Sequence, residues 1–361
     1  LGDVYKRQEY LLMERKEKLP NVFYAMMLVL ALSLTALMGG AVCLLDYALK
    51  PADLSRNDQK AWEEVYENYP GVKVWHDSLV SVGALRDTTV TTLGYKMHAW
   101  FVPASRPTAA TALLLHGYTD CGISMMPIAR MYHRDMGMNV MIPDLTNSGR
   151  TEVDHYEMGK RESEEARVWS YFALREVGDS MRMVVHGVSM GAATTMMVAG
   201  GPCTPFYIKA YVEDCGYSSL DKQYTKELKE RFGLPRYPLI PLASWICKKN
   251  YGFSFADISP EKCLRGVETP MLFIHGTADT YVPTAMVHEV YAAKDTGVKE
   301  LWLAPDATHA RSFKKYPKEY SDHVRRFLVS NHFFDAEYWF RKWLEDMHNE
   351  QMSVMSRHWH R

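Results

Sequence analysis

The hydrophobic pattern changes character along the chain. From Val22 to Leu45, 24 consecutive residues are uncharged and mostly apolar. As a helix this stretch reaches about 36 Å, enough to cross a bilayer core, so a membrane-spanning helix is expected. From Ala84 onward, short apolar runs such as ALLL, VMI and MLFI alternate with longer helix-like segments. Strands are expected at Thr88–Val102, Thr111–Leu115, Asn139–Asp144, Met181–His186, Ile208–Asp214, Met271–His275 and Glu300–Ala304. Apolar runs of this length are what strands buried on both faces look like, and their alternation with helices predicts βαβ units: an α/β fold with a mostly parallel sheet and helices on both faces.

Two stretches depart from that rhythm. Between Leu220 and Cys263 lie about forty residues with Pro235, Pro238 and Pro241 among aromatics that include Tyr224, Phe232, Tyr237, Trp245, Tyr251, Phe253 and Phe255. That is too long for an ordinary loop and predicts a helical lid over a site, the alternative being extra packing at the sheet edge. The last stretch, 332–361, holds Phe333, Phe334, Tyr338, Trp339, Phe340, Trp343 and Trp359. Ala336, Phe340, Trp343 and Met347 recur at helical spacing, predicting an amphipathic helix docked on its own domain or on the bilayer surface. The expected plan is a tail (1–21), a transmembrane helix (22–45), a connector (46–83) in which Ser55 caps a short helix carrying Trp62 and Tyr66, a catalytic domain (84–331) with its lid at 220–263, and the aromatic tail (332–361).

Charge and composition narrow the function classes. Forty-two basic residues stand against 43 acidic ones, a net charge of −1, and nucleic-acid binders that work by phosphate neutralisation carry a basic surplus instead. No nucleic-acid partner is expected. The six cysteines form no C-x-x-C pair and read as buried free thiols. Position 1 is not Met, and Asp3-Val4-Tyr5-Lys6-Arg7-Gln8 reads as a translated sequencing adapter, so 1–12 are expected to be artefactual and Met13 the natural start. Arg15, Lys16 and Lys18 before the apolar stretch favour an inside N-terminus and an extracytoplasmic catalytic domain. A cleaved signal peptide is the alternative; a lipoprotein Cys43 is disfavoured because Val42 precedes it. His358-Trp359-His360 has no acidic or thiol partner nearby in sequence and is not expected to hold a functional metal.

The chemistry concentrates in one motif. Gly187-Val188-Ser189-Met190-Gly191 follows the apolar strand MRMVVH and precedes the helix-like AATTMMVA, the setting of a nucleophile elbow. There Ser189 sits at a helix N-terminus, where free N–H groups favour developing negative charge. A serine hydroxyl needs a base to take its proton and an acid to orient that base. Asp279, after the strand MLFIHG, and His309, after the strand LWLAP, supply them in the order Ser, acid, His. Asp306 is the alternative acid. The backbone N–H groups of Met190 and Tyr118 are the expected oxyanion donors, with His116-Gly117 shaping the turn and the His116 ring serving a structural role.

With LLLHGY, PDLTNSGRT, HGVSMGAATT, VEDCGYSS, FIHGTADTYVP and THARSF in order, the chain from about Ala84 to Asn331 resembles the α/β-hydrolases of the bacterial serine-hydrolase type. It is also similar to the mammalian α/β-hydrolase-domain proteins and, more distantly, to serine aminopeptidases and prolyl oligopeptidases. The resemblance implies the α/β-hydrolase fold, the Ser189, Asp279 and His309 triad, and a cap after the sixth strand. In that superfamily the segment at Asp144 usually reads D-x-R-G-H-G-x-S; here Thr146, Asn147 and Ser148 replace its central residues. The expected protein is a membrane-anchored serine hydrolase that cleaves a small-molecule or lipid-like acyl ester and requires neither cofactor nor metal. A serine peptidase and a non-catalytic binding module on the same fold are the alternatives.

Overall fold

A computed structural model describes residues 2–52, 56–202 and 204–334 of the chain. Its helices are α1 (Gly2–Leu49), α2 (Asp58–Asn68), α3 (Pro70–Ser81), α4 (Met126–Arg130), α5 (Lys160–Val177), α6 (Met190–Ala199), α7 (Leu220–Phe232), α8 (Leu239–Tyr251), α9 (Pro260–Cys263), α10 (Ala285–Ala293), α11 (Ser312–Lys315) and α12 (Pro317–Ser330). The strands are β1 (Arg86–Thr92), β2 (Tyr95–Val102), β3 (Ala110–Leu115), β4 (Asn139–Asp144), β5 (Arg182–Val188), β6 (Ile208–Asp214), β7 (Met271–Gly276) and β8 (Lys299–Ala304). Two compact units partition them: Leu1–Lys50 with Tyr224–Ser254, and Pro51–Gln223 with Phe255–Arg361.

The larger unit is built on one eight-stranded sheet in the order β1-β2-β4-β3-β5-β6-β7-β8. β1 and β2 form a hairpin, β2 pairs antiparallel with β4, and the remaining pairs are parallel. β3, β4 and β7 are buried along their whole length, which is why their sequences are continuous apolar runs rather than alternating ones. The Thr-rich β1 lies at the sheet edge and is nowhere fully buried, so its polar side chains blunt an edge that would otherwise invite pairing. Among the helices, α12 buries Tyr320, Val324, Phe327 and Leu328, a stripe at helical spacing.

The expected connector is part of this core. Val72, Trp75 and Leu79 of α3 are buried, as are Ala61 and Val65 of α2. The Trp75 Nε1–H donates to His133 Nδ1 at 3.1 Å, so the indole is anchored as well as packed. The cap of α2 is Asn57, whose Oδ1 accepts from the Lys60 N–H at 3.1 Å, one residue from where a helix starting at Asp58 needs it. Ser55 lies outside the described residues, as does 335–361, which contains most of the expected aromatic tail. Phe333 and Phe334 are buried, and the Arg182 guanidinium donates to the carbonyls of His332 and Phe333.

The smaller unit holds α1, most of α7, and α8. Asn21–Leu49 of α1 is long and apolar enough to cross a membrane, four residues longer at its C-terminal end than the expected 22–45. The insertion after β6 is narrower than the expected 220–263: it separates as Tyr224–Ser254, because Ile258 is buried in the larger unit and its carbonyl accepts from the Leu220 N–H. Its aromatics divide by burial. Phe253 is fully buried, whereas Phe232, Tyr237 and Trp245 are exposed. Of the cysteines, Cys121, Cys215 and Cys247 are buried free thiols, Cys263 is half-buried and Cys43 is exposed.

Candidate active site

Parallel strands deliver their carboxyl ends to one edge of the sheet, and the loops there carry the candidate residues. Ser189 sits between β5 and α6 with φ 58° and ψ −116°, a conformation disfavoured for any residue with a Cβ. Its N–H donates to the Asp214 carbonyl at 2.8 Å, which holds the turn in place. The flanking glycines are steric necessities. A Cβ on Gly187 would lie 2.0 Å from the Gly191 carbonyl oxygen, and one on Gly191 2.0 Å from the Leu115 carbonyl oxygen.

Ser189 Oγ lies 2.8 Å from His309 Nε2, and His309 Nδ1 lies 2.7 Å from Asp279 Oδ2. Asp279 Oδ1 accepts from the N–H groups of Tyr281 and Val282, each at 2.9 Å. Burial opposes the ionised form of Asp279, yet hydrogen bonds from His275 and His309 outweigh it and draw the pKa down to about 2. Asp306, the alternative acid, is exposed, while the carboxylate on His309 Nδ1 is that of Asp279. A Cβ on Gly117 would lie 3.4 Å from Ser189 Cβ, so the turn that carries Tyr118 runs beside the nucleophile position. Met190 is the first residue of α6.

His116 serves as a brace. Its Nε2 accepts from the Leu145 N–H at 2.9 Å, which leaves Nδ1 as the donor to the Gly117 carbonyl at 2.8 Å. The ring thereby ties the turn after β3 to the one after β4. The unusual Thr146, Asn147 and Ser148 are all buried. The Thr146 N–H and hydroxyl donate to Glu165 at 2.7 and 2.6 Å, Asn147 Oδ1 accepts from Arg56 at 2.8 Å, and the Ser148 hydroxyl pairs with Tyr156 Oη at 2.8 Å. Tyr156 packs edge-on against Tyr118 with centroids 4.8 Å apart, so this segment reaches the proposed oxyanion loop through a tyrosine pair.

A buried polar layer lies beneath the elbow; its His186, Glu213, Asp214 and His275 fall within the sequence motifs, but nothing in those motifs marks them as buried together. Tyr132 Oη donates to His186 Nδ1 at 3.0 Å, His186 Nε2–H donates to Tyr320 Oη at 2.8 Å, and Tyr320 donates to Asp214 Oδ2 at 3.1 Å. Complete burial pushes His186 down to about 3, keeping it neutral, and pushes Asp214 up to about 6 despite the nearby His275. Glu213 rises to about 8 for the same reason. His275 lies 3.4 Å from Asp279 Oδ2 through Nε2, which also faces the Val282 carbonyl at 2.9 Å. Cys215 Sγ lies within 4.8 Å of the Asp279 carboxylate and the His309 ring, a group that could in principle hold a metal ion. Burial raises the Cys215 thiol well above its ordinary value, so it is a neutral thiol and a weak ligand.

Comparison with known proteins identifies the family and the fold. The chain is similar to YqkD, an uncharacterized protein of Bacillus subtilis, with 28% identity over 65% of this chain and 76% of that one. It is 22% identical to an uncharacterized membrane protein of Saccharomyces cerevisiae over 68% of this chain and 80% of that one. Among solved structures, the esterase Pf2001 of Pyrococcus furiosus superposes with a TM-score of 0.57 at 23% identity, covering 70% of this chain and 95% of the esterase. The model of the prolyl oligopeptidase family matches residues 125–333. With more than half of its residues so matched, the chain belongs to the prolyl oligopeptidase family and is a serine hydrolase of the α/β-hydrolase fold.

Proposed function

We propose that the protein hydrolyses a carboxylic ester through an acyl-enzyme. The observation that carries the reading is the continuous relay from Ser189 Oγ to His309 Nε2 at 2.8 Å and from His309 Nδ1 to Asp279 at 2.7 Å. In this mechanism Ser189 Oγ attacks the carbonyl carbon as its proton passes to His309 Nε2. Asp279 keeps the Nδ1 proton in place and stabilises the imidazolium. The N–H groups of Met190 and Tyr118 receive the oxyanion. His309 then protonates the departing alkoxide, and a water that gives its proton to Nε2 releases the acid and restores the serine.

An ester is favoured because the relay meets a lower barrier with an alkoxide leaving group than with an amine, and because an enzyme held beside a bilayer has amphiphilic acyl esters within reach. Asn21–Leu49 is read as a single membrane span with the catalytic unit on the extracytoplasmic side; protease accessibility in intact cells tests that orientation. Membership of the prolyl oligopeptidase family favours a second reading, a peptidase. The deciding experiment compares kcat/KM for nitrophenyl esters of graded chain length with that for aminoacyl anilides, using Ser189→Ala as background. Ester turnover dominating, and vanishing in the variant, is the expected result; anilides turning over faster overturns the ester reading.

A further inference from the structure

The helical insertion shares its unit with the apolar helix, and the two are joined along a defined stretch. Ala41, Leu45 and Leu49, one stripe at helical spacing, are the part of Asn21–Leu49 that is buried, and α8 packs against α1. Lys50 lies over the Tyr251 ring at 5.6 Å, so the C-terminal ends of α1 and α8 lie together and the helices run side by side. Nearby, Tyr47 packs edge-on against Phe232 at 5.8 Å and its hydroxyl accepts from Arg231 at 3.1 Å.

Asp46 is the first charged residue after the apolar stretch and marks where hydrocarbon must give way to headgroups, because a carboxylate is expensive in acyl chains. Depth along α8 then follows from helix rise. Tyr251, level with Lys50, stands about 6 Å outside the Asp46 level; Trp245 falls about 3 Å inside it and Leu239 about 12 Å inside. The composition of α8 follows this gradient. Its first five residues are Leu-Ile-Pro-Leu-Ala, Trp245 comes next to the boundary, and Lys248 and Lys249 close the last turn. Trp at the boundary and lysines at headgroup level are the interfacial preferences of a membrane-contacting helix. From Phe232 to Tyr251 there is no acidic residue, and Lys248 and Lys249 supply cations at headgroup level; Arg236, ahead of the deep end of α8, donates to Tyr237 Oη at 2.7 Å and lies over its ring, a pairing that offsets part of the cost of its charge there. The outward face of α8, Pro241, Trp245 and Lys249 at intervals of four, is exposed in the protein.

We propose that α8 is a second membrane element, sunk beside α1 with Pro241 among acyl chains, Trp245 at the glycerol level and Lys249 among anionic phospholipid headgroups. This rests on the reading of Asn21–Leu49 as a membrane span, so the test includes a reporter for each. The full chain, with Cys43, Cys203 and Cys263 replaced by serine, is reconstituted in vesicles of phosphatidylcholine and phosphatidylglycerol at 3:1. Nitroxides are attached in turn at Pro241→Cys, Trp245→Cys and Lys249→Cys, at Val29→Cys within the span, and at the exposed Lys318→Cys in the other unit. Relaxation by oxygen against a water-soluble nickel chelate reads depth.

The expected order of oxygen-to-nickel ratio is 241 above 245 above 249, with 241 severalfold above 318. Ratios at all three α8 sites equal to that at 318, with 29 deep in lipid, overturn the proposal and leave the anchor standing. An aqueous ratio at 29 overturns both. A label at 245 shielded from oxygen and nickel alike would mean a protein partner on this face and also overturns the proposal.

Discussion

Asp279 stays ionised against the cost of its burial. Its backbone and imidazole donors hold it ionised to a pKa of about 2, so the stability it contributes is fully present above its ordinary value of 3.8 and is lost as pH falls toward 2. Asp279→Asn removes the charge that orients His309 while keeping the shape, and kcat is expected to fall about 10⁴-fold with little change in KM; steady-state kinetics on the best ester checks it. Gly191 meets a steric demand instead. A Cβ at this position would lie only 2.0 Å from the Leu115 carbonyl oxygen, so Gly191→Ala is expected to lose the cooperative melt seen by circular dichroism, whereas Ala192→Gly, one residue on, should retain it. Ser189, Asp279 and His309 were legible in the sequence because motif and chain order specify them. Glu213, Asp214 and His275 were not, because their significance lies in complete burial side by side, which no local pattern encodes.

At the level of elements, the loop after β4 and helix α5 meet through Glu165. This carboxyl is buried, and burial together with repulsion from Glu162 raises it to about 8 although Thr146 and Tyr95 donate to it. Since its folded pKa exceeds the unfolded value, protons are bound more tightly in the folded state, and stability is full below pH 4.5 and declines as pH rises through about 8. Glu213 acts in the same direction. The melting temperature is therefore expected to drop between pH 5 and pH 9, and Glu165→Gln to flatten that drop; a slope unchanged in the variant would show that Glu165 is ionised throughout. The strands were legible because ALLL, VMI and MLFI can only be buried on both faces. Helices α2 and α3 were read as a connector because their apolar stripes are short, and only the sheet they pack against reveals Trp75 as core.

For the molecule as a whole, the near-neutral charge concealed a local contrast: the segment from Phe232 to Tyr251 is purely cationic and rich in aromatics, in a chain whose net charge is −1. The length of Asn21–Leu49 made a helix long and apolar enough to cross a membrane legible, but the packing of α8 against it depends on two segments far apart in sequence. If the span holds the protein in the bilayer, it should remain in the membrane pellet after alkaline carbonate washing and be released by detergent; release by carbonate alone would contradict the anchor. The central claim is that Ser189 forms the acyl-enzyme, and the most direct test is to react the full chain with a fluorophosphonate and map the adduct by peptide mass spectrometry. The expected result is one adduct on the peptide containing Ser189, absent in Ser189→Ala and strongly slowed in His309→Ala; an adduct on another residue, or equal labelling of Ser189→Ala, would contradict it.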